Sequence, residues 1–338
     1  MNLAKDIYYT ACSALPMRLL KKLAPPTTLL PYHHTVSDEN LLHIKHLYSY
    51  KNISEFNNDL DYLLQHFKAI SPQDILDSIN KYNKLPANSF LLSFDDGFKE
   101  VFHIIAPILE AKGIPAIFFI NPAFIDNKEL FYRCKTSLLI NELLKNKHDK
   151  ALIRLYGNEL GLKNPTTDKI IYTFKSSKSF TNNSLDILAG KISYSFNDYL
   201  VKHLPFVTTE QLKSLHEKGF TIGAHSWDHP SYDDISHSQQ IEQTVSSCAY
   251  VKTQFNVRKY FSFPYSDANL TQKLFDELVK TDVELFFGIQ NQKEELQNKM
   301  LHRFNAERPE IPLNKQLKGL MTMMAYQKLN NKNKVIRN

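Results

Sequence analysis

From Thr27 onward, short apolar runs that end in polar clusters alternate with longer stretches whose apolar residues recur at helical spacing. No other feature constrains the fold as much. The pattern predicts strands at 28–32, 89–94, 116–120, 220–224, 260–263 and 283–287, and helices at 54–66, 71–80, 99–112, 209–218, 236–254 and 270–280. Thr208 and Thr209 supply a start signal for the helix that stops at Gly219, and Lys112-Gly113 closes the one after Gly97. Strands alternating with helices imply an α/β fold, a parallel sheet covered by helices as a barrel or an open doubly wound sheet. In either form the ligand site lies at the carboxyl ends of the strands.

The 338 residues leave room for one large domain or two ordinary ones, and 43% hydrophobic with 12% aromatic residues is a globular profile. Residues 126–205 break the rhythm and read as a mainly helical insertion in a barrel spanning 27–310. Residues 1–26 carry an apolar run from Ile7 to Leu15, then Pro16, Arg18, Lys21 and Lys22. That is a poor secretion signal and too short to span a bilayer, but it suits an amphipathic segment able to touch a membrane surface. Residues 311–338 read as a helix and a polar tail, frayed from 330 onward. The formal charge of +6 is spread along the chain, which does not point to nucleic acid as a partner. Cys12, Cys134 and Cys248 are odd in number and far apart, so they read as buried thiols. A cytoplasmic setting, with some association with the membrane, is expected; the oligomeric state is not legible.

Two carboxylates, Asp95 and Asp96, stand at the end of the strand at 89–94, followed by Gly97, which permits a sharp turn. Their repulsion raises one pKa unless a cation lies between them. The plainer reading is a capping pair for the following helix. The strand at 220–224 ends in His225 and His229, four residues apart, a spacing found in zinc sites and also in ordinary surface loops. Both pairs hold the same place in their βα units and so open onto one face. One carboxylate and two imidazoles make three ligands with a position left for water, the composition of a catalytic zinc site that Co²⁺ or Ni²⁺ also fits.

The chain resembles the polysaccharide deacetylase family, also called NodB-homology or carbohydrate esterase family 4. Ser93-Phe94-Asp95-Asp96-Gly97 is similar to its Thr-Phe-Asp-Asp-Gly motif, and His225-Ser226-Trp227-Asp228-His229 to its His-Ser/Thr-x-x-His motif. The resemblance implies a partly open (β/α) barrel, one divalent metal on Asp96, His225 and His229, and Asp95 as general base. It further implies that the N–H of Tyr265, after Pro264, helps hold the oxyanion. The substrate implied is an N-acetylated carbohydrate, with Trp227, Tyr232, Pro264, Tyr265 and His33 as candidates to line its site. For His33 and His34 a local hydrogen-bonding role near the mouth is the plainer reading.

Three departures from the family pattern stand out. Ser262 replaces the arginine of Arg-x-Pro-Tyr, Trp227 is the only tryptophan, and Gly288-Ile289-Gln290-Asn291 offers no acid after its strand. Met300-Leu301-His302-Arg303 occupies the place of the family's Leu-x-His motif, so His302 fits a proton donor to the leaving amine. The competing register puts Arg303 there, its guanidinium replacing the charge lost at Ser262 and keeping Asp95 ionised. Rival functions are a non-catalytic glycan-binding relative, which would not need both Asp95 and Asp96, and a hydrolase of a different N-acyl group.

Overall fold

The computed structural model describes residues 3–25, 28–176, 182–295 and 299–337; the expected boundary at residues 26 and 27 lies outside them. Its strands are β1 (Thr28–Leu29), β2 (Pro31–His33), β3 (Lys68–Ala69), β4 (Ser89–Phe90), β5 (Leu92–Phe94), β6 (Ala116–Ile120), β7 (Thr221–Ala224), β8 (Tyr260–Ser262), β9 (Leu285–Gly288), β10 (Glu294–Glu295), β11 (Met300–His302) and β12 (Phe304–Asn305). Helices α1 (Leu3–Ser13), α2 (Met17–Leu23), α3 (Ile53–His66), α4 (Pro72–Tyr82) and α5 (Ala106–Ala111) come before the insertion. The insertion contributes α6 (Tyr132–Lys145), α7 (Lys150–Glu159), α8 (Thr167–Ser176), α9 (Asn182–Lys191) and α10 (Phe196–His203). After it follow α11 (Thr209–Glu217), α12 (His237–Phe255), α13 (Gln272–Leu278) and α14 (Leu313–Leu329).

The expected strands at 28–32 and 89–94 each divide in two, because the chain passes from one sheet to another. β1, β4 and β3 form a small sheet, while β2 and β5 enter the large one. The large sheet runs β10-β11-β9-β8-β7-β6-β5-β2-β12, parallel at every pairing except β10 with β11. β11 lies beside β9 and β12 beside β2, with Arg303 alone between them in the chain. The sheet therefore curls until both its ends lie along one segment. Arg303 N donates to Gly288 O at 2.8 Å, Phe304 N to Leu30 O at 3.0 Å and Ala306 N to Tyr32 O at 3.1 Å.

Alternation along the strands divides the apolar residues between two layers. On β6, Ile117 and Phe119 join Leu30, Leu91, Phe287 and Leu301 in one cluster, while Ala116, Phe118 and Ile120 pack with the surrounding helices. Capping boxes start α3 at Asn52, α4 at Ser71, α11 at Thr208 and α12 at Ser236. The helix expected at 99–112 opens instead as a wider turn over Val101–Ile105 before α5. Pro107 has no N–H to return to the carbonyl four residues back, and Ala106 N bonds to Val101 O.

The insertion builds a core of its own, with Cys134, Leu138, Ile140, Tyr156 and Phe174 packed against Leu41, Ile44, Phe98 and Phe206 of the barrel side. The tail departs from expectation, being pinned instead of frayed. Glu294 N donates to Asn333 O at 2.8 Å and Val335 N to Glu294 O at 3.1 Å. The Arg337 side chain is 1% exposed and bonds to Asp267 Oδ2 at 2.9 Å and Glu295 Oε2 at 2.7 Å. Both carboxylates are wholly buried, and a buried charge without a partner is far costlier than an ordered tail.

Candidate active site

Sharp turns at the strand ends aim the polar residues into one mouth. Asp96 has φ 72° and Gly97 φ 64°, so the chain leaves β5 in a left-handed bend. Ser226 (φ 66°), His229 (φ 61°) and Tyr265 (φ 56°) adopt the same region, which is costly for residues with a Cβ and collects where function demands it. The loop after β7 is tied down by His225 N to Ile120 O at 2.8 Å and His229 N to Ser226 Oγ at 3.1 Å. Asn121 Nδ2 donates to the carbonyl of Ser226 at 3.2 Å and also to that of His225. Neither Asp95 nor Asp96 caps a helix, the first turn beginning at Val101.

Asp96, His225 and His229 converge, all three buried, with one ligand atom from each within 4.8 Å of the others. Asp96 Oδ1 lies 3.2 Å from His229 Nε2 and 3.5 Å from His225 Nε2, yet accepts no hydrogen bond among the described residues. His225 Nδ1 is 2.8 Å from Ser262 O; a carbonyl only accepts, so Nδ1 carries the proton and Nε2 presents its lone pair. Burial lowers the His225 pKa to about 4, keeping it a neutral ligand. Burial works against the Asp96 charge, but the neighbouring His229, His34 and His225 hold its carboxyl well below the ordinary range. An orphaned carboxylate oxygen facing two imidazole nitrogens fits a divalent cation.

Asp95 sits in a different environment. Arg303 NH1 donates to Asp95 Oδ1 at 2.7 Å and NH2 to Oδ2 at 2.8 Å, a two-pronged pairing of a planar cation with a planar anion. The same guanidinium donates to Ser93 Oγ at 3.0 Å and Ser262 Oγ at 2.5 Å, and lies over the Tyr32 and Phe119 rings. Ser93 stands where the family motif usually has threonine and Ser262 where it has arginine, and both accept from the same arginine. Desolvation pushes the Asp95 pKa up, but Arg303, joined by His225 and His34, outweighs it and the carboxyl titrates below its ordinary value.

The mouth encloses a cavity of about 240 Å³, walled by Tyr32, His34, Leu47, Tyr48, Phe131, Arg133 and Tyr265 around Asp95, Asp96 and the two histidines. Among the described residues nothing accepts from the Tyr265 N–H, while its hydroxyl donates to Tyr132 at 2.6 Å. Phe131 lies on the His229 ring at 4.4 Å, so the start of α6 forms one edge of the mouth.

Several sequence expectations are corrected. His33, read as a substrate contact, turns away from the cavity and stacks on Phe94 at 5.6 Å, with Phe56 at its edge. Successive strand residues face opposite sides, and it is His34 that faces the mouth. His302, read as a proton donor, does not line the cavity; wholly buried, it meets Glu295 Oε2 at 2.7 Å and Asp267 Oδ2 at 3.5 Å. Arg303, its strand neighbour, takes the inner side. Trp227 stands outside the cavity with its indole edge-on to Tyr250 at 5.9 Å. Tyr232 is in the core, bonded to Thr244, and Pro264 is buried behind the lining.

His34, read as a hydrogen-bonding residue near the mouth, is found there, while sequence reasoning passed over the loop that supplies Leu47 and Tyr48. His34 Nδ1 lies 2.7 Å from Glu307 Oε2, and its ring stacks on Tyr48 at 4.6 Å. Desolvation lowers its pKa, but Glu307, with Asp96 and Asp95, overrides this and raises it to about 9. The Tyr48 hydroxyl is buried without a partner among the described residues. The acid sought after β9 is Asp267, which accepts from Ile289 N and Gln290 Nε2, both at 2.8 Å. Gly288 makes room for it, since a Cβ there would lie 2.4 Å from Asp267 Oδ1.

The comparisons agree on one class, the deacetylases built on a (β/α) barrel. The polysaccharide deacetylase family model matches residues 82–283, and the chain belongs to that family. It is thereby a hydrolase of carbon–nitrogen bonds other than peptide bonds. Among solved structures it is similar to the Streptococcus pyogenes deacetylase PplD in complex with acetate, at 13% identity and a TM-score of 0.56, over 87% of this chain and 99% of that one. IcaB from Ammonifex degensii aligns at 17% identity and 0.54, over 88% and 98%. A de-N-acetylase from Aggregatibacter actinomycetemcomitans aligns at 15% and 0.50, over 82% and 94%. At these identities the likeness speaks for the fold. Comparison with curated protein sequences yields no match.

Proposed function

We propose that this chain removes N-acetyl groups from an amino-sugar-containing glycan or glycan precursor, with Asp95 as general base beside a single divalent cation held by Asp96, His225 and His229. The ligand set suits zinc, and Co²⁺ or Ni²⁺ in its place; such a cation polarises the acetamide carbonyl and acidifies water. Asp95 takes the proton of the attacking water, and Arg303 keeps it ionised and fixed in orientation. The free N–H of Tyr265 donates to the oxyanion as the carbonyl becomes tetrahedral. His34, held protonated by Glu307 at the cavity wall, gives its proton to the departing amine. Tyr48, Phe131, Leu47 and Tyr265 offer an apolar wall for a sugar ring, with the Tyr48 hydroxyl able to bond to it.

One observation carries this reading: a second carboxylate, Asp95, is held ionised by a buried arginine next to the three-ligand set. Binding a cation, or a glycan, needs no such base. Acetate release from N-acetylhexosamine oligomers and lipid-linked N-acetyl sugars, measured after chelation and after zinc is restored, tests it. Release that stops on chelation and returns with zinc is expected. Oligomers that bind the zinc-loaded protein and are never hydrolysed would point to a non-catalytic relative. Turnover confined to N-formyl analogues would point to a deformylase.

A further inference from the structure

The net positive charge of this chain sits at its two ends. Residues 1–25 carry four basic and one acidic side chain, and residues 311–338 carry six basic and none acidic. Together they hold a formal +9 in a chain whose total is +6, so the remaining residues are net negative. The fold brings these two ends together. The Tyr8 hydroxyl donates to Gly319 O at 2.8 Å, Lys318 Nζ to Ser13 O at 2.7 Å, and Met17 and Leu20 of α2 share a core with Leu317, Leu320 and Met324 of α14.

Not all of that charge is free. Arg337 is committed to Asp267 and Glu295, and Lys21 lies over the Phe67 ring at 4.3 Å. Arg18, Lys22, Lys315, Lys328, Lys332 and Lys334 are exposed, and among the described residues none of them forms an ion pair. Apolar side chains stand in the same layer. On α2, Leu20 and Ala24 face the core while Leu19 and Leu23, 42% and 53% exposed, share the outer face with Arg18 and Lys22. Ile7 on α1 is 61% exposed and Leu329 at the end of α14 is 83% exposed. No helix among the described residues is long and apolar enough to cross a membrane.

We propose that the layer formed by α1, α2 and α14 docks on an anionic phospholipid surface, the basic side chains meeting headgroups and Leu19, Leu23 and Ile7 entering the interface. Unpaired cations interleaved with exposed leucines on one helical face are what such a surface recognises. A nucleic acid would use the cations and leave the leucines in water. A protein partner would call for a continuous apolar centre, not one broken by Arg18 and Lys22. The assignment is independent of the chemistry at the mouth.

Sedimentation of the full chain with vesicles tests it, using phosphatidylcholine alone and phosphatidylcholine mixed with phosphatidylglycerol, at low and high salt. The expected result is more than about tenfold tighter binding to the anionic vesicles, weakened by salt. R18E/K22E and L19S/L23S should each lose at least about tenfold in vesicle affinity. Both should keep the wild-type circular dichroism and the wild-type turnover of a soluble substrate. Absence of sedimentation with either vesicle, equal binding to both, or unchanged binding by both folded variants would overturn the proposal. So would retention on a soluble polyanion such as heparin without vesicle binding, which would assign the layer to an acidic polymer.

Discussion

Asp95 and Asp96 are neighbours in the chain for which we propose different duties, and the difference lies in what each faces. Asp96 presents a bare oxygen to two imidazoles, whereas both oxygens of Asp95 are taken by Arg303. Arg303→Met removes the largest of the charges that oppose desolvation, so the Asp95 pKa rises and the base stays protonated to a higher pH. The acidic limb of the kcat/KM profile should therefore move up in pH while zinc stoichiometry is kept. A limb that stays in place would show that the guanidinium serves packing alone. The opposite sign applies to the proton donor. Glu307 raises the His34 pKa, and Glu307→Gln keeps an acceptor for the His34 and Thr35 N–H groups while removing the charge. The donor then loses its proton at lower pH, so the alkaline limb should shift down. An unmoved alkaline limb would take His34 out of the reaction.

Among the elements, the tail departs furthest from its sequence reading. Its last turn reads as polar and free, but Arg337 crosses to Asp267, 70 positions away, and to Glu295. No local pattern announces such a contact, because the carboxylates that require it lie far apart in the chain, Asp267 after β8 and Glu295 on β10. Arg337→Ala leaves Asp267 and Glu295 buried around His302 with their main cation gone, and should cost about 3–5 kcal/mol in denaturant unfolding. A loss below about 1 kcal/mol would mean that the pair is solvated or neutral once the tail is cut back. The βα units show the reverse case. The strand at 116–120 appears with its expected bounds, and α11 begins at its Thr208 cap, since periodicity and capping are local signals.

For the molecule as a whole, the barrel and the convergence of two motifs at its mouth were legible because each motif ends a strand in a repeating unit. Arg303 was legible as a need before it was visible as a contact: an acid pair with Ser262 in place of an arginine calls for a cation from elsewhere. Which of His33 and His34 lines the cavity turned on a single residue of register, since they are adjacent and only strand geometry tells which faces inward. The cavity wall from Leu47, Tyr48 and the start of α6 depends on loops whose paths no periodicity encodes. All of these parts meet in one claim, that a poised carboxylate works beside a three-ligand cation site. Acetate release by zinc-loaded Asp95→Asn tests it most directly, because asparagine is nearly isosteric yet cannot take the proton. The account predicts wild-type fold, one zinc per chain, and turnover reduced about 10²- to 10⁴-fold. A folded, zinc-loaded Asp95→Asn protein that still releases acetate at near the wild-type rate would contradict it.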